Sequence, residues 1–368
     1  MNRVLVYGLK NVVGGIEKYL MTMHKHLCDK IEFVFLVEES DGFIYENEIL
    51  ENGGIIETLP ERHSLGKYKK QFRKILRKYR TSTDLLYVNV GHISFDIIPI
   101  KIGLSEKYRV LTHSHSAMQE PIASLFYKLR QGILRTVGKW RLSHFDVERL
   151  AVSQRAGDYL FSGKPYEIVT PGIDVKTFAP QNDIRETIRE RFGLGTAVVL
   201  GFVGRLVAVK NPLFLIEVLA AAVEMNKNTK LLVVGDGALM GEMKKRVEEY
   251  GLEEKVVFSG EVDDVQDYYQ AMDVLLAPSL SEGMPLGIME AQSVGVPCVC
   301  AEGNFPKTID VTGMVNFCRL ADGKEKWARI ALKKASSSLG REEMNSIVSK
   351  SDLNIENASL KLLSVFER

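Results

Sequence analysis

Short apolar runs dominated by Val, Leu and Ile recur at residues 3–8, 31–37, 84–90, 109–112 and 149–153, then at 197–203, 230–235, 255–259, 273–278 and 296–301. Longer stretches with apolar positions at helical spacing separate them. Near-continuous runs suit strands buried on both faces, and their alternation with helices suits parallel pairing. The pattern therefore predicts an α/β protein with two Rossmann-like, doubly wound sheets. Thr170-Pro171-Gly172 and Ala179-Pro180 punctuate the interval between the two sets and read as a linker. The expected domains are 1–170 and 171–351, followed by a segment, 354–366, of helical pattern.

The loops after two of these strands carry the most chemistry. The run ending at Ala277 leads into Ser279-Leu280-Ser281-Glu282-Gly283-Met284-Pro285-Leu286-Gly287-Ile288-Met289-Glu290, which opens a helix over 287–294. Two carboxylates thus bracket a Gly/Pro-rich turn at a helix mouth. Backbone N–H groups backed by a helix dipole suit a diphosphate. Ionised carboxylates only accept hydrogen bonds, so they suit the hydroxyls of a sugar or ribose. A lone glutamate in such a place is ordinarily a solvated helix-start acid, so the pair needs support from elsewhere.

That support comes from the loop after 197–203. Gly204 ends the strand, Arg205 and Lys210 follow, and Asn211-Pro212 is expected to cap the next helix, with Asn211 as N-cap and Pro212 at N1. Arg grips phosphate oxygens bidentately and Lys adds a point charge. As surface pairs these cations would contribute roughly 0–1 kcal/mol. Aimed at a leaving diphosphate, the loss of one would cost roughly 3–4 kcal/mol of barrier.

Glu282 and Glu290 at E-x7-E spacing, with G-R-x4-K-N-P from Gly204, resemble the retaining nucleotide-sugar glycosyltransferases of family 4, which have the two-domain GT-B fold. Gly14-Gly15-Ile16-Glu17 resembles that family's glycine-rich first loop, and Thr112-His113-Ser114-His115-Ser116 the loop of its active-site histidine. Ala151-Val152-Ser153 and Thr170 to Phe178 resemble the end of its first domain. The tract 109–116 and the pattern 152–161 look most like bacterial exopolysaccharide and capsule enzymes.

The resemblance implies two domains facing across a cleft, with the last helix, 352–368, crossing back to the first. It makes Arg205, Lys210, Glu282 and His113 the catalytic set, with His115 as the alternative register. Donor contacts would come from Gly14, Gly15, Gly204, Val262, Gly283, Met284, Pro285, Leu286 and Glu290, the last of these on the ribose. The first domain would hold a saccharide or lipid-diphosphate-linked acceptor. The second would hold a nucleoside-diphosphate sugar, with UDP as carrier. On residue evidence alone Gly14-Gly15 is equally a plain turn. Gly235-Asp236-Gly237 likewise reads as a strand-end turn. The glycine spacing does not make a dinucleotide fingerprint, which argues against a nicotinamide oxidoreductase.

Composition narrows the picture. With 368 residues and 45% hydrophobic content, two cores can be filled. No D-x-D occurs, and the two histidines bring no further ligands, so no metal and no cofactor is expected. The strand-like Val4 to Tyr7 follows Met-Asn-Arg at once, so no signal peptide is expected, and no apolar run is long enough to cross a bilayer. Cys28, Cys298, Cys300 and Cys318 show no C-x-x-C and read as buried thiols of a cytoplasmic protein.

The net charge of +1 hides an asymmetry: residues 1–170 hold 25 Lys and Arg against 19 Asp and Glu. Residues 62–80 carry nine cations and no acid, around apolar positions Tyr68, Phe72, Ile75, Leu76 and Tyr79 at helical spacing. Residues 121–145 also lack acids and carry five cations. Each stretch is either an ordinary amphipathic helix on the sheet or an attachment point for anionic lipid, making the protein peripheral to the membrane. Nucleic acid is excluded by the near-neutral chain. Two other functional readings fit the same motifs: a nucleotide-sugar epimerase on the same fold, and a non-catalytic nucleotide-sugar-binding protein.

Overall fold

A computed structural model of the chain describes residues 2–12, 14–39, 42–91, 93–115, 125–282, 285–336 and 340–368. It divides into two compact units, Met1–Pro171 with Ala358–Arg368, and Gly172–Asn357. In the first, β1 (Asn2–Tyr7), β2 (Ile31–Glu38), β3 (Ile55–Leu59), β4 (Leu85–Val90), β5 (Arg109–Ser114), β6 (Glu148–Ala151) and β7 (Glu167–Ile168) form one sheet in the order β3-β2-β1-β4-β5-β6-β7. In the second, β8 (Val198–Val203), β9 (Thr229–Val234), β10 (Val256–Gly260), β11 (Val274–Ala277), β12 (Cys298–Ala301) and β13 (Val315–Cys318) form a sheet in the order β10-β9-β8-β11-β12-β13. Every strand pairing is parallel, with registers such as Leu5 beside Leu86 and Leu200 beside Val274.

The apolar runs mark every central strand and one edge strand, β10. Val4, Leu5, Val6, Phe33, Leu86 and Val88 are fully buried in one unit, as are Val199, Leu200, Leu231, Val274 and Val299 in the other. Three strands carried no such run: β3, β7 and β13. All three lie at sheet edges, where one side of the backbone has no neighbour and partly exposed residues such as Glu57 and Asn316 are tolerated.

In each unit the strand order reverses beside the first strand, between β1 and β4 and between β8 and β11. Loops leaving the carboxyl ends there diverge and open a crevice, the usual place for a ligand in open parallel sheets.

The last helix, Ile355–Phe366, starts in the second unit and packs into the first from Ala358 onward. Arg109 secures its end, donating to the carbonyls of Val365 (2.5 Å) and Phe366 (3.0 Å) while pairing with Glu148. The Phe366 ring meets Tyr87 edge-on at 5.2 Å.

Two local expectations are corrected. Asn211 is not the N-cap of the next helix: it adopts a left-handed conformation (φ +52°), which Asn tolerates better than most residues, and closes the short 3-10 helix Ala208–Lys210. The following helix, Leu213–Met225, has Pro212 at its cap. Cys298, Cys300 and Cys318 are buried thiols, but Cys28 is half-exposed at a helix end. Among the described residues no helix is long and apolar enough to cross a membrane.

Candidate active site

In the second unit the loops after β8, β9 and β10 touch through their backbones. Gly204, Gly235 and Gly237 all have positive φ (+146°, +124° and +157°). A Cβ on Gly235 would lie 2.2 Å from the Gly204 carbonyl oxygen, and one on Gly237 2.6 Å from that of Leu206. Only glycine permits both the conformation and the approach. The N–H of Gly204 donates to Val234 (2.9 Å), Leu206 to Asp236 (2.8 Å) and Gly235 to Gly260 (2.8 Å). These bonds enclose a cavity of about 600 Å³ lined by Gly204, Arg205, Asp236, Gly237, Glu261 and Val262 among others. Gly235-Asp236-Gly237 is therefore a wall of the cavity as well as a turn.

The loop after β11 adjoins the far end of the Arg205 loop. Leu280 N–H donates to the Val209 carbonyl at 2.7 Å. Lys210 Nζ donates to Glu282 Oε1 at 2.6 Å, with both side chains largely shielded from water. Asn304, on the loop after β12, holds this turn from below: its carbonyl accepts from Glu282 N–H (3.1 Å), and its Nδ2 donates to the Ser279 carbonyl (3.1 Å). Nothing in the sequence singled out Asn304, because its partners are set by the fold.

The helix Leu286–Val294 begins just beyond, with Pro285 at its cap and no side-chain cap hydrogen bond. Its first N–H groups and dipole are suited to an anion. Gly283 and Met284 lie outside the described residues. Glu290, one turn into this helix, is 5% exposed, and the buried Tyr269 hydroxyl donates to its Oε2 at 2.9 Å. Burial, then the charge of Glu290, pushes the Tyr269 phenol well above its usual range and keeps it a donor. Tyr269 was not foreseen either; it lies on the helix Val265–Ala271, with no motif to mark it.

The other expected site residues lie in the first unit. Gly14 caps the helix Gly15–Leu27 in extended backbone, and a Cβ there would meet the Glu17 carboxylate at 2.4 Å, whereas one on Gly15 would meet nothing. Glu17 is buried, and burial raises its pKa against the pull of backbone hydrogen bonds and Lys10.

His113, at the end of β5, is 0% exposed and shares a 2.5 Å hydrogen bond with Tyr87 Oη through Nδ1. Tyr87 in turn meets Tyr19 Oη at 3.0 Å. His115, half-buried just past the strand, pairs with Asn89 Oδ1 at 2.7 Å, and its ring lies 4.4 Å from that of His113. Burial lowers the His113 pKa to about 3, with the Val169 and Ala151 carbonyls pulling the other way. His115 is also driven well down, by burial and then by His113. Both imidazoles are neutral at pH 7.

A second cavity, about 590 Å³, opens at the ends of β1 and β2 and is lined by Tyr7, Lys10, Asn11, Glu38, Phe43 and Arg62 among others. Arg62 turns inward to pair with Glu38 and to approach Asp96 (3.6 Å). It is thereby removed from the basic run to which the sequence assigned it. Among the described residues no group of three or more His, Cys, Asp or Glu is placed to hold a metal ion.

Residues 197–333 match the family model for group 1 glycosyl transferases. Over 341 residues the chain is 26% identical to the putative glycosyltransferase EpsF of Bacillus subtilis, covering 90% of this chain and 87% of EpsF. The fold superposes on Anabaena HepE, solved in complex with UDP, with a TM-score of 0.80 at 17% identity over 100% of both chains. The chain is a glycosyltransferase of the GT-B fold. This glycosyltransferase is also 36% identical over 144 residues to an Escherichia coli enzyme named UDP-Gal:alpha-D-GlcNAc-diphosphoundecaprenol alpha-1,3-galactosyltransferase, covering 37% of this chain and 36% of that enzyme.

Proposed function

We propose that the second unit holds a UDP-sugar and that its sugar passes, with retention and without a metal ion, to a saccharide or lipid-diphosphate-linked saccharide bound by the first unit, in the synthesis of a cell-surface polysaccharide. The observation that carries this reading is the Lys210–Glu282 pair, which joins two loops at the strand-order reversal beside the Arg205 cavity. The E. coli relative is named for a UDP-sugar and a diphospholipid-linked acceptor, and HepE was solved with UDP.

The chemistry proposed is leaving-group stabilisation. With no donor bound, Glu282 neutralises Lys210. An arriving diphosphate competes for Lys210, and Arg205 and the N–H groups at the start of Leu286–Val294 take further negative charge. Glu282 is then released to accept from a sugar hydroxyl, and Glu290, held by Tyr269, accepts from the ribose. The acceptor oxygen bonds to the anomeric carbon on the face from which the diphosphate leaves, and the acceptor proton departs with the diphosphate. Gly283, Met284, Pro285 and Leu286 supply the turn around the donor, and Gly204 and Val262 the walls near its base. Gly14 and Gly15 bring backbone close to the ligand. His115, at the end of β5, contacts the sugar, with His113 positioning it. The 590 Å³ cavity with Asn11, Glu38 and Phe43 seats the acceptor.

Metal independence rests on the absent D-x-D, which leaves the two cations to neutralise the diphosphate. In transfer assays Lys210→Ala and Arg205→Ala should each lower kcat by about 10²–10³, equivalent to roughly 3–4 kcal/mol, with Tm unchanged and no effect of a chelator on the wild type. Wild-type turnover in either variant refutes the role. Conversion of a UDP-sugar in the absence of acceptor would instead identify an epimerase.

A further inference from the structure

The 590 Å³ cavity of the first unit is walled by loops that are fastened to one another. Asn11, on the loop after β1, donates through Nδ2 to the Gly42 carbonyl (3.0 Å) and accepts through Oδ1 from the Ile44 N–H (2.9 Å). The Tyr45 hydroxyl donates to the Val12 carbonyl at 3.0 Å. These bonds tie the segment 42–45 to the loop after β1. Phe43, between the two partners of Asn11, is thereby fixed in the cavity wall. Its side chain is half-buried, with the Tyr45 ring 5.9 Å away. A partly open aromatic ring suits the C–H groups along one side of a pyranose, which are drawn to its electron-rich face.

The polar part of the wall is built around Arg62. It pairs with Glu38, approaches Asp96 at 3.6 Å and donates to the Tyr7 hydroxyl, which also accepts from Tyr68 at 3.1 Å. Asp96 is buried and accepts from the Gly91 N–H at 3.0 Å, so its charge is fixed behind the guanidinium. A carboxylate and a guanidinium held side by side place acceptors next to donors. Adjacent sugar hydroxyls, each able to give and to take a hydrogen bond, match that pattern. An anion does not. Glu38, Glu39 and Glu61 line the cavity and Asp96 backs it, against Lys10, Arg62 and His63, which itself pairs with Glu61 at 2.7 Å. Even with His63 counted as a cation, four carboxylates face three cations. An anion that displaced Glu38 from Arg62 would still meet Asp96 and the remaining acids. Lys210, by contrast, has Glu282 as its one ion-pair partner among the described residues, so exchange there releases the lysine.

We propose that this cavity seats an uncharged sugar ring of the acceptor, with Phe43 against its C–H face and the Glu38–Arg62 pair on adjacent hydroxyls. Any acid group of the acceptor, a uronate or a diphosphate, lies outside it. The inference rests on the reading of this cavity as the acceptor seat and adds the class of sugar that it takes. Asn11 is a positioning residue, acting on the sugar through Phe43.

The full chain, with excess UDP present to occupy the donor loops, is titrated with methyl glycosides of glucose, galactose and N-acetylglucosamine, and binding is read by saturation-transfer NMR. The methyl glycosides of glucuronate and galacturonate, and inorganic pyrophosphate, are then tested as competitors of the best neutral glycoside. A neutral glycoside is expected to bind, and every acid to compete about tenfold more weakly or worse. Glu38→Gln should weaken the neutral glycoside by about tenfold and narrow its margin over the acids, since one negative charge is gone. Phe43→Ala should weaken it by about as much and keep the margin, since the ring carries no charge. Glu39→Gln should make pyrophosphate a better competitor by about threefold. Asn11→Ala should raise the KM for that glycoside as acceptor about fivefold, with kcat and the donor KM little changed. Acids that compete as well as neutral glycosides, while Glu38→Gln and Phe43→Ala still weaken binding, overturn the inference and leave the acceptor seat standing. Glycoside binding untouched by both substitutions removes the acceptor seat itself, and the inference with it. No glycoside bound at all also overturns the inference.

Discussion

The two units are wound alike, yet the groups at their strand ends are used in opposite ways. In the second, charged side chains from separate loops meet near the surface, as Lys210 does with Glu282, and glycines let the loops beneath them touch. In the first, Tyr19, Tyr87, His113, His115 and Asn89 form an uncharged network at the end of β5, with its open cavity elsewhere, around Glu38 and Arg62. A charged rim can exchange an internal partner for an anion of matching charge. A buried neutral network can orient a group or share a hydrogen bond but cannot supply charge, because charging it means placing an ion where water cannot follow. Parallel topology thus provides the place for a site, and burial decides which kind of chemistry that place supports.

The contrast breaks most readily at the charged rim, through the losses in kcat expected for Lys210→Ala and Arg205→Ala. The glycines come next. Gly235→Ala should destabilise the second unit by about 3 kcal/mol or more in urea unfolding, since its methyl would overlap the Gly204 carbonyl at a φ that disfavours side chains. Gly15→Ala, with nothing within 4 Å, should be neutral or slightly stabilising. Equal costs at the two positions would remove the argument from close approach.

The buried histidines give a pH test of the first unit. The folded-state pKa of His113 is depressed to about 3, so its neutral form contributes stability that is fully present above the unfolded value near 6.5 and is lost as pH falls toward 3. Unfolding free energy should decline across that window with a slope approaching 1.4 kcal/mol per pH unit, roughly, for each buried neutral imidazole. His113→Gln should flatten the slope; an unchanged profile would show that His113 is not held neutral. A modest effect on binding is expected from Tyr269→Phe. Losing the bond to Glu290 should weaken donor binding by about 1–2 kcal/mol, read as a raised donor KM with little change in kcat.

Much of this was written in the chain itself. Central strands are buried on both faces, so their apolar runs are continuous and their positions, including the helix face Tyr68 to Tyr79, follow from hydrophobicity alone. The Arg205–Lys210 loop and the Glu282 turn were visible because glycine, proline and charge punctuate strand ends. Of the four edge strands only β10 was visible; β3, β7 and β13 were not, since half-covered backbone permits an apolar run but does not demand one. Only the tertiary structure brought Lys210 to Glu282, 72 positions away, put Asn304 beneath them and Tyr269 against Glu290, and turned Arg62 inward. Such contacts depend on where crossovers deliver distant loops, and no local pattern of residues encodes that placement.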